Sequence, residues 1–185
     1  MLKGTKLSIT QLTGQTYGGT ARLTGELMLG DALSINADLR LVESRLARVD
    51  SSLTDYGGLF TGRALISGAL ELSDANPLSI RLRGRLKGTI IPSIGRRSAD
   101  LDLLVLQGET TRIMPSQILV DGNIIGFQGP VYPTLDLTWR AQLYKARRLL
   151  KNIGGDQLPK QLSANGRIRL EPRLRLDFRV DTKPY

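Results

Sequence analysis

Residues 78–90 read LSIRLRGRLKGTI: apolar residues or glycine stand at every second position, and Arg81, Arg83, Arg85 and Lys87 stand between them. A period of two is the signature of a strand with one apolar and one polar face, because successive side chains of extended backbone point to opposite sides. The same alternation recurs outward from this stretch. It runs through Leu101, Leu103 and Val105 in ADLDLLVLQG and through Leu135, Leu137, Trp139, Ala141 and Leu143 in TLDLTWRAQL. The chain therefore reads as mostly strand.

The stretch is also the second copy of an earlier one. Ala21, Gly25, Leu27, Leu29, Asp31 and Ala32 match Ala64, Gly68, Leu70, Leu72, Asp74 and Ala75, 43 residues on; beyond an insertion Leu33, Ser34, Ile35, Arg40 and Leu41 match Leu78, Ser79, Ile80, Arg85 and Leu86, 45 residues on. A YGG triplet precedes each copy, so the repeat spans residues 17–42 and 56–87. A weaker echo is GRIRLEPRLRLDFRV from Gly166. Each unit is two alternating runs joined by a short turn (GD, SDANP or EP), the pattern of a β-hairpin. Asp121-Gly122 marks another tight hairpin, in preference to a metal loop, since no carboxylates follow at ligand spacing.

Two helices are expected to interrupt the strands. One is VESRLARVDSSLTDYGG, with Leu46, Val49 and Leu53 on one stripe; the other is LYKARRLLKNIGG, with Leu143, Ala146, Leu150 and Ile153. The expected architecture is a single mainly β domain, or a fragment of one, over 1–185: a curved, twisted antiparallel sheet, a β-groove or half-barrel of repeated hairpins, with two short helices.

With 185 residues and 41% apolar content the chain can build a core. It has no cysteine and no histidine, which removes disulfides, thiol nucleophiles, thiolate or imidazole metal sites and histidine-dependent triads. Asp100 and Asp102 share a strand face that turns apolar at Leu104 and Leu106, which suits a solvated strand end better than an acid pair. The glycines of GGLFTGRALISG do not open a helix and lack a phosphate-loop lysine, and no Ser-x-x-Lys occurs. No catalysis, metal or cofactor is expected.

Lys plus Arg number 26 against 17 acids, a net charge of +9 that points to an anionic partner. Nucleic acid ranks behind lipid, because the basic row is not interleaved with the aromatics that stack single-stranded bases. The second helix carries Lys145, Arg147, Arg148 and Lys151 opposite its apolar stripe, which fits either an anionic membrane surface or a core-packed helix whose late cations complement its dipole. No run approaches the roughly 20 apolar residues of a membrane-spanning helix.

The succession YGGTARLTGELML, LSINADLRL, a helix and LFTGRALISGALEL resembles the AsmA-like family, the bacterial relatives of AsmA and TamB, over about Ser8 to Arg179. Toward the C-terminus the chain is also similar to type II secretion protein N. The AsmA-like resemblance implies a periplasmic, membrane-associated envelope protein of Gram-negative type whose curved sheet holds phospholipid acyl chains. It also implies an N-terminal anchor, which would come from a segment or partner outside these residues.

The strands fit that expectation on physical grounds. An acyl chain gains about 0.8 kcal/mol per buried methylene, so a conduit needs a continuous aliphatic surface. Leu33, Ile35, Leu39 and Leu41, with Leu78, Ile80, Leu82 and Leu86, supply two such rows. Leu101, Leu103 and Val105, then Leu135, Leu137 and Trp139, then Leu174, Leu176, Phe178 and Val180 supply the others. A β-sandwich core would use the same rows with no lipid. The expected function is thus a non-enzymatic lipid-binding, lipid-transfer or envelope-assembly module; the alternative is a scaffold subunit whose apolar face is covered by protein. Partners expected are phospholipid and protein neighbours that cover or continue the sheet edges, in an oligomer or larger assembly.

Overall fold

A computed structural model describes residues 5–16, 18–30, 32–45, 58–71, 73–91, 95–149, 159–170 and 173–181. They form one antiparallel sheet whose eleven strands lie side by side in chain order. The strands are β1 (Thr5–Thr16), β2 (Gly19–Leu29), β3 (Ser34–Arg45), β4 (Leu59–Ala69), β5 (Leu78–Ile91) and β6 (Gly95–Gln107). The sheet continues through β7 (Thr111–Val120), β8 (Asn123–Tyr132), β9 (Asp136–Leu143), β10 (Leu162–Leu170) and β11 (Leu174–Asp181). It is open: β1 pairs with β2 and β11 with β10, and the two end strands do not meet.

The two copies of the repeat are the hairpins β2–β3 and β4–β5. Their pairing differs. Ala21 lies opposite Leu41, but Ala64 lies opposite Leu82 rather than the sequence-equivalent Leu86. The longer connection between Ala69 and Leu78 accommodates the slip. Because the slip is an even number of residues, every apolar side chain keeps its face; an odd slip would have turned the row over.

The two expected helices are not borne out. Val42–Arg45, which opens the first, continues β3, paired with β4 from Arg45↔Leu59; the rest of that segment, 46–57, lies outside the described residues. At Val42–Arg45 pairing with the neighbouring strands decides the backbone, through Val42 to β2 and through Ser44 and Arg45 to β4. In the second, Leu143 ends β9 and a single helical turn follows, α1 (Ala146–Leu149); 150–158 lie outside the described residues.

Asp121 and Gly122 form the tight turn between β7 and β8, with φ of 50° and 81°. Two consecutive positive φ values are what a type I′ hairpin demands, and this dipeptide tolerates them. The next residue, Asn123, is fully buried: its Nδ2 donates to Val120 O at 2.9 Å and its Oδ1 accepts Lys145 N–H at 2.9 Å. It thereby ties the entry to α1 onto the β7–β8 turn. Ala146, 0% exposed, then packs into a cluster with Ala99, Val120, Ala141, Leu143 and Ala164.

Candidate functional site

Register places the expected apolar rows on one face. Leu82 lies between Ala64 and Leu103; Ile80 between Ile66 and Val105; Leu101 between Gly84 and Ile118; Trp139 between Phe127 and Gly166. The same face continues through Leu23–Leu39 and Leu27–Ile35 at one side and through Ile168–Leu176 and Ala164–Val180 at the other. Leu33 and Leu135 lie just outside strands, where their carbonyls accept the N–H of Leu70 and Leu170. Interior members of the face are half-buried by their neighbours, whereas the end strands leave theirs open. Leu12 is 61% exposed in β1, and Leu174 and Phe178 are 69% and 67% exposed in β11.

Two aromatic residues on this face, Phe60 and Trp139, pack against glycines of the neighbouring strands. A Cβ added to Gly84 would come within 2.5 Å of the Phe60 ring, and one added to Gly166 within 2.7 Å of Trp139 Nε1. Each ring thus fills the gap left by a neighbouring strand's missing side chain.

The opposite face holds the charges, and its aspartates are met by arginines. Arg81 reaches Asp102 through Nε and Nη2 at 3.2 and 3.0 Å, Arg83 Nε reaches the same carboxylate at 3.0 Å, and Arg85 grips Asp100 at 2.7 and 2.9 Å. The row that opened the sequence is therefore met by acids of the next strand, brought opposite by the Arg83↔Asp102 and Arg85↔Asp100 register. Further pairs repeat the motif: Arg63 with Asp38 at 2.8 Å, Arg167 with Asp136, and Arg169 with Asp177 at 2.9 Å.

Hydrogen bonds from arginine hold these carboxyls below the usual carboxylate range. The donors are Arg81 and then Arg83 for Asp102, Arg85 for Asp100, Arg63 for Asp38 and Arg167 for Asp136. Asp100 and Asp102 are thus ion-pair partners, both ionised at neutral pH, and neither is poised to exchange a proton. Lys87 faces solvent beside Leu59, Lys145 is exposed just before α1 and Arg147 is exposed within it; the side chains of Arg148 and Lys151 lie outside the described residues.

Sequence reasoning missed several members of the apolar face. Leu23 and Leu27 were readable, since ARLTGELML alternates. Ile118, Ile125 and Phe127 were not, because Leu119 and Ile124, paired with each other on the charged face, break the period of two in β7 and β8. Among the described residues no three acidic side chains gather as a metal site, and no helix is long and apolar enough to cross a membrane.

The residues thus define a class by architecture: a single-layer antiparallel meander with one aliphatic and one ion-paired face. The chain matches no protein-family model, no curated protein and no solved structure.

Proposed function

We propose that this protein is a non-enzymatic lipid-binding module of the AsmA-like kind, which takes phospholipid acyl chains along the apolar face of its sheet, curved into a groove, in the cell envelope. The observation that carries the reading is the continuity of that face: neighbouring strands contribute aliphatic side chains across the whole sheet, and among the described residues only α1 packs on it, at the Leu143 end. Strand bulges at Leu41/Ser44, Leu86/Thr89 and Asp102/Val105 support a bent sheet, since each extra residue bends its strand and raises the local twist. The compensation of Arg81, Arg83 and Arg85 by aspartates also supports lipid over nucleic acid, because the row offers phosphates few unengaged cations.

The test is organic extraction of the purified protein together with native mass spectrometry. Phospholipid is expected at near-stoichiometric amount, and Leu82→Asp and Leu103→Asp are expected to remove it while the fold persists. Trace lipid, unchanged by either substitution, would refute the reading; the apolar face would then belong to a protein neighbour in a scaffold.

A further inference from the structure

We infer that β11 is a pairing edge for a second copy of this chain. The N–H of Leu170 donates to Leu135 O, so the even-numbered residues of β10 bond to β9 and the odd-numbered ones to β11. The partners of those odd residues are Arg175, Asp177, Arg179 and Asp181. It follows that the backbone groups of Leu174, Leu176, Phe178 and Val180 point out over the free edge. These residues are 69%, 56%, 67% and 46% exposed, so among the described residues this edge offers both unpaired backbone and uncovered apolar surface.

The charged face of the strand says what fits there. Arg175, Asp177, Arg179 and Asp181 alternate in sign, with Arg175–Asp177 and Arg179–Asp181 each 3.2 Å apart. An alternating series of this kind is its own complement when reversed, as an antiparallel copy reverses it. In the register that pairs all four with one another, Arg175 meets Asp181 and Asp177 meets Arg179, each twice. Leu176 then meets Val180, and Phe178 meets its own copy on the two-fold axis.

A slide of two residues one way sets Arg175 against Arg179 and Asp177 against itself. Two residues the other way set Asp177 against Asp181 and Arg179 against itself. Opposite charges directly across a strand pair stabilise it and like charges destabilise it, so the series disfavours both two-residue slides; a slide of four opposes unlike charges again but joins two pairs among these residues instead of four. The four-pair register is also one the backbone allows, with outward-pointing Leu176, Phe178 and Val180 exchanging about six hydrogen bonds across the edge.

The other free edge lacks this code. Along β1 the charged face carries Lys6, already paired with Glu26 at 2.7 Å, and then only uncharged Ser, Thr and Gln. The two-fold axis stands perpendicular to the sheet, which brings the apolar faces of both copies to the same side. If that face holds lipid, pairing doubles its length, but the pairing itself rests on β11 alone.

Sedimentation of the full chain over a wide concentration range is expected to show a monomer–dimer equilibrium. Asp177→Arg or Arg179→Asp alone should raise the dissociation constant about tenfold or more, since each places like charges across the axis twice. Mixing the two variants should restore the dimer, as the heterodimer regains opposite charges at both places; circular dichroism of each variant controls for folding.

The chain has no cysteine, so Phe178→Cys introduces a single thiol. Facing residues of a hydrogen-bonded pair sit about 5.5 Å apart at Cα, within disulfide reach, and mild oxidation should link the dimer there. Leu174→Cys should stay unlinked, its two copies being roughly 25 Å apart along the strands. A wild-type chain that stays monomeric throughout, a mixture no tighter than either variant, or equal linkage at Leu174 would each overturn the inference.

Discussion

Replacing Asp102 with Asn tests whether the charged face is held by its ion pairs or merely decorated by them. The carboxylate takes three hydrogen bonds, two from Arg81 and one from Arg83, all between 3.0 and 3.2 Å. Its side chain is 30% exposed, against 41% and 60% for the two arginines, so solvent screens both pairs. Screened pairs are worth about 0.2–1 kcal/mol each, which predicts a loss of about 0.5–2 kcal/mol for Asp102→Asn at pH 7. For a chain of this length that is a melting shift of very roughly 1–8 °C.

The pH dependence gives the sharper check. The folded-state pKa of Asp102 lies below its unfolded value, chiefly through the Arg81 hydrogen bond and next that of Arg83, so its contribution is fully present above the unfolded pKa of about 3.9. It is lost as pH falls through the lower folded value, where protonation does to wild type what the substitution does at any pH. Urea unfolding of both proteins should therefore show a gap that is constant from pH 7 to about 5 and closes in strong acid. Equal stability at pH 7, or a gap that persists in acid, would refute the reasoning.

Asn123→Ala leaves Val120 O and Lys145 N–H without their partner at a fully buried site, and should cost about 2–4 kcal/mol by urea unfolding, with faster amide exchange at Lys145 and Ala146. Gly84→Ala sets a methyl within 2.6 Å of both Phe60 Cε2 and Thr61 O and should cost about 1–3 kcal/mol. Adding Phe60→Leu should recover the part due to the ring, so that thermal melts of the double variant fall short of the sum of the two singles.

Strands and faces were legible because alternation is a local property that the sheet preserves. Leu82 and Leu103, more than twenty residues apart in sequence, belong to the same row whatever the turn between them, provided the register shift is even. The register itself was not legible. That Asp102 serves Arg81 and Arg83 depends on a bulge at Leu86/Thr89, where Gly88 adopts a φ of 71°; a glycine in an alternating run fits a bulge, but by itself does not say that the register shifts there. Asp100 and Asp102 were visible as a pair, but only the neighbouring strand explains them. The start of the first expected helix was misread for a related reason: Val42–Arg45 pairs as strand, through Val42 with β2 and through Ser44 and Arg45 with β4, which the local leucine spacing does not reveal. Asn123 gave no signal beyond following Asp-Gly, since its burial comes from Lys145 and Ala146, which the sheet's order brings back to that turn.

An open sheet with one aliphatic face poses a physical question that its own residues leave to a partner. Closing the sheet would bury Leu12 and Phe178, yet β1 and β11 stay apart; a second layer would bury the middle, yet among the described residues only Ala146 and its turn sit there. Each leucine moved from full exposure to burial is worth about 1.5–3 kcal/mol, so whatever covers the face gains by doing so, whether lipid or protein. Surface shape separates the two. Protein partners are gripped by interlocking relief, with anchors seated in pockets. Here Phe60 and Trp139 are already seated against Gly84 and Gly166 of neighbouring strands, which leaves Phe178, 67% exposed at the edge, as a large aromatic side chain open on this face. An aliphatic face that runs across all eleven strands with a large open aromatic at one edge offers contact along its length more than a central seat, which is the ground on which acyl chains are proposed as the occupant.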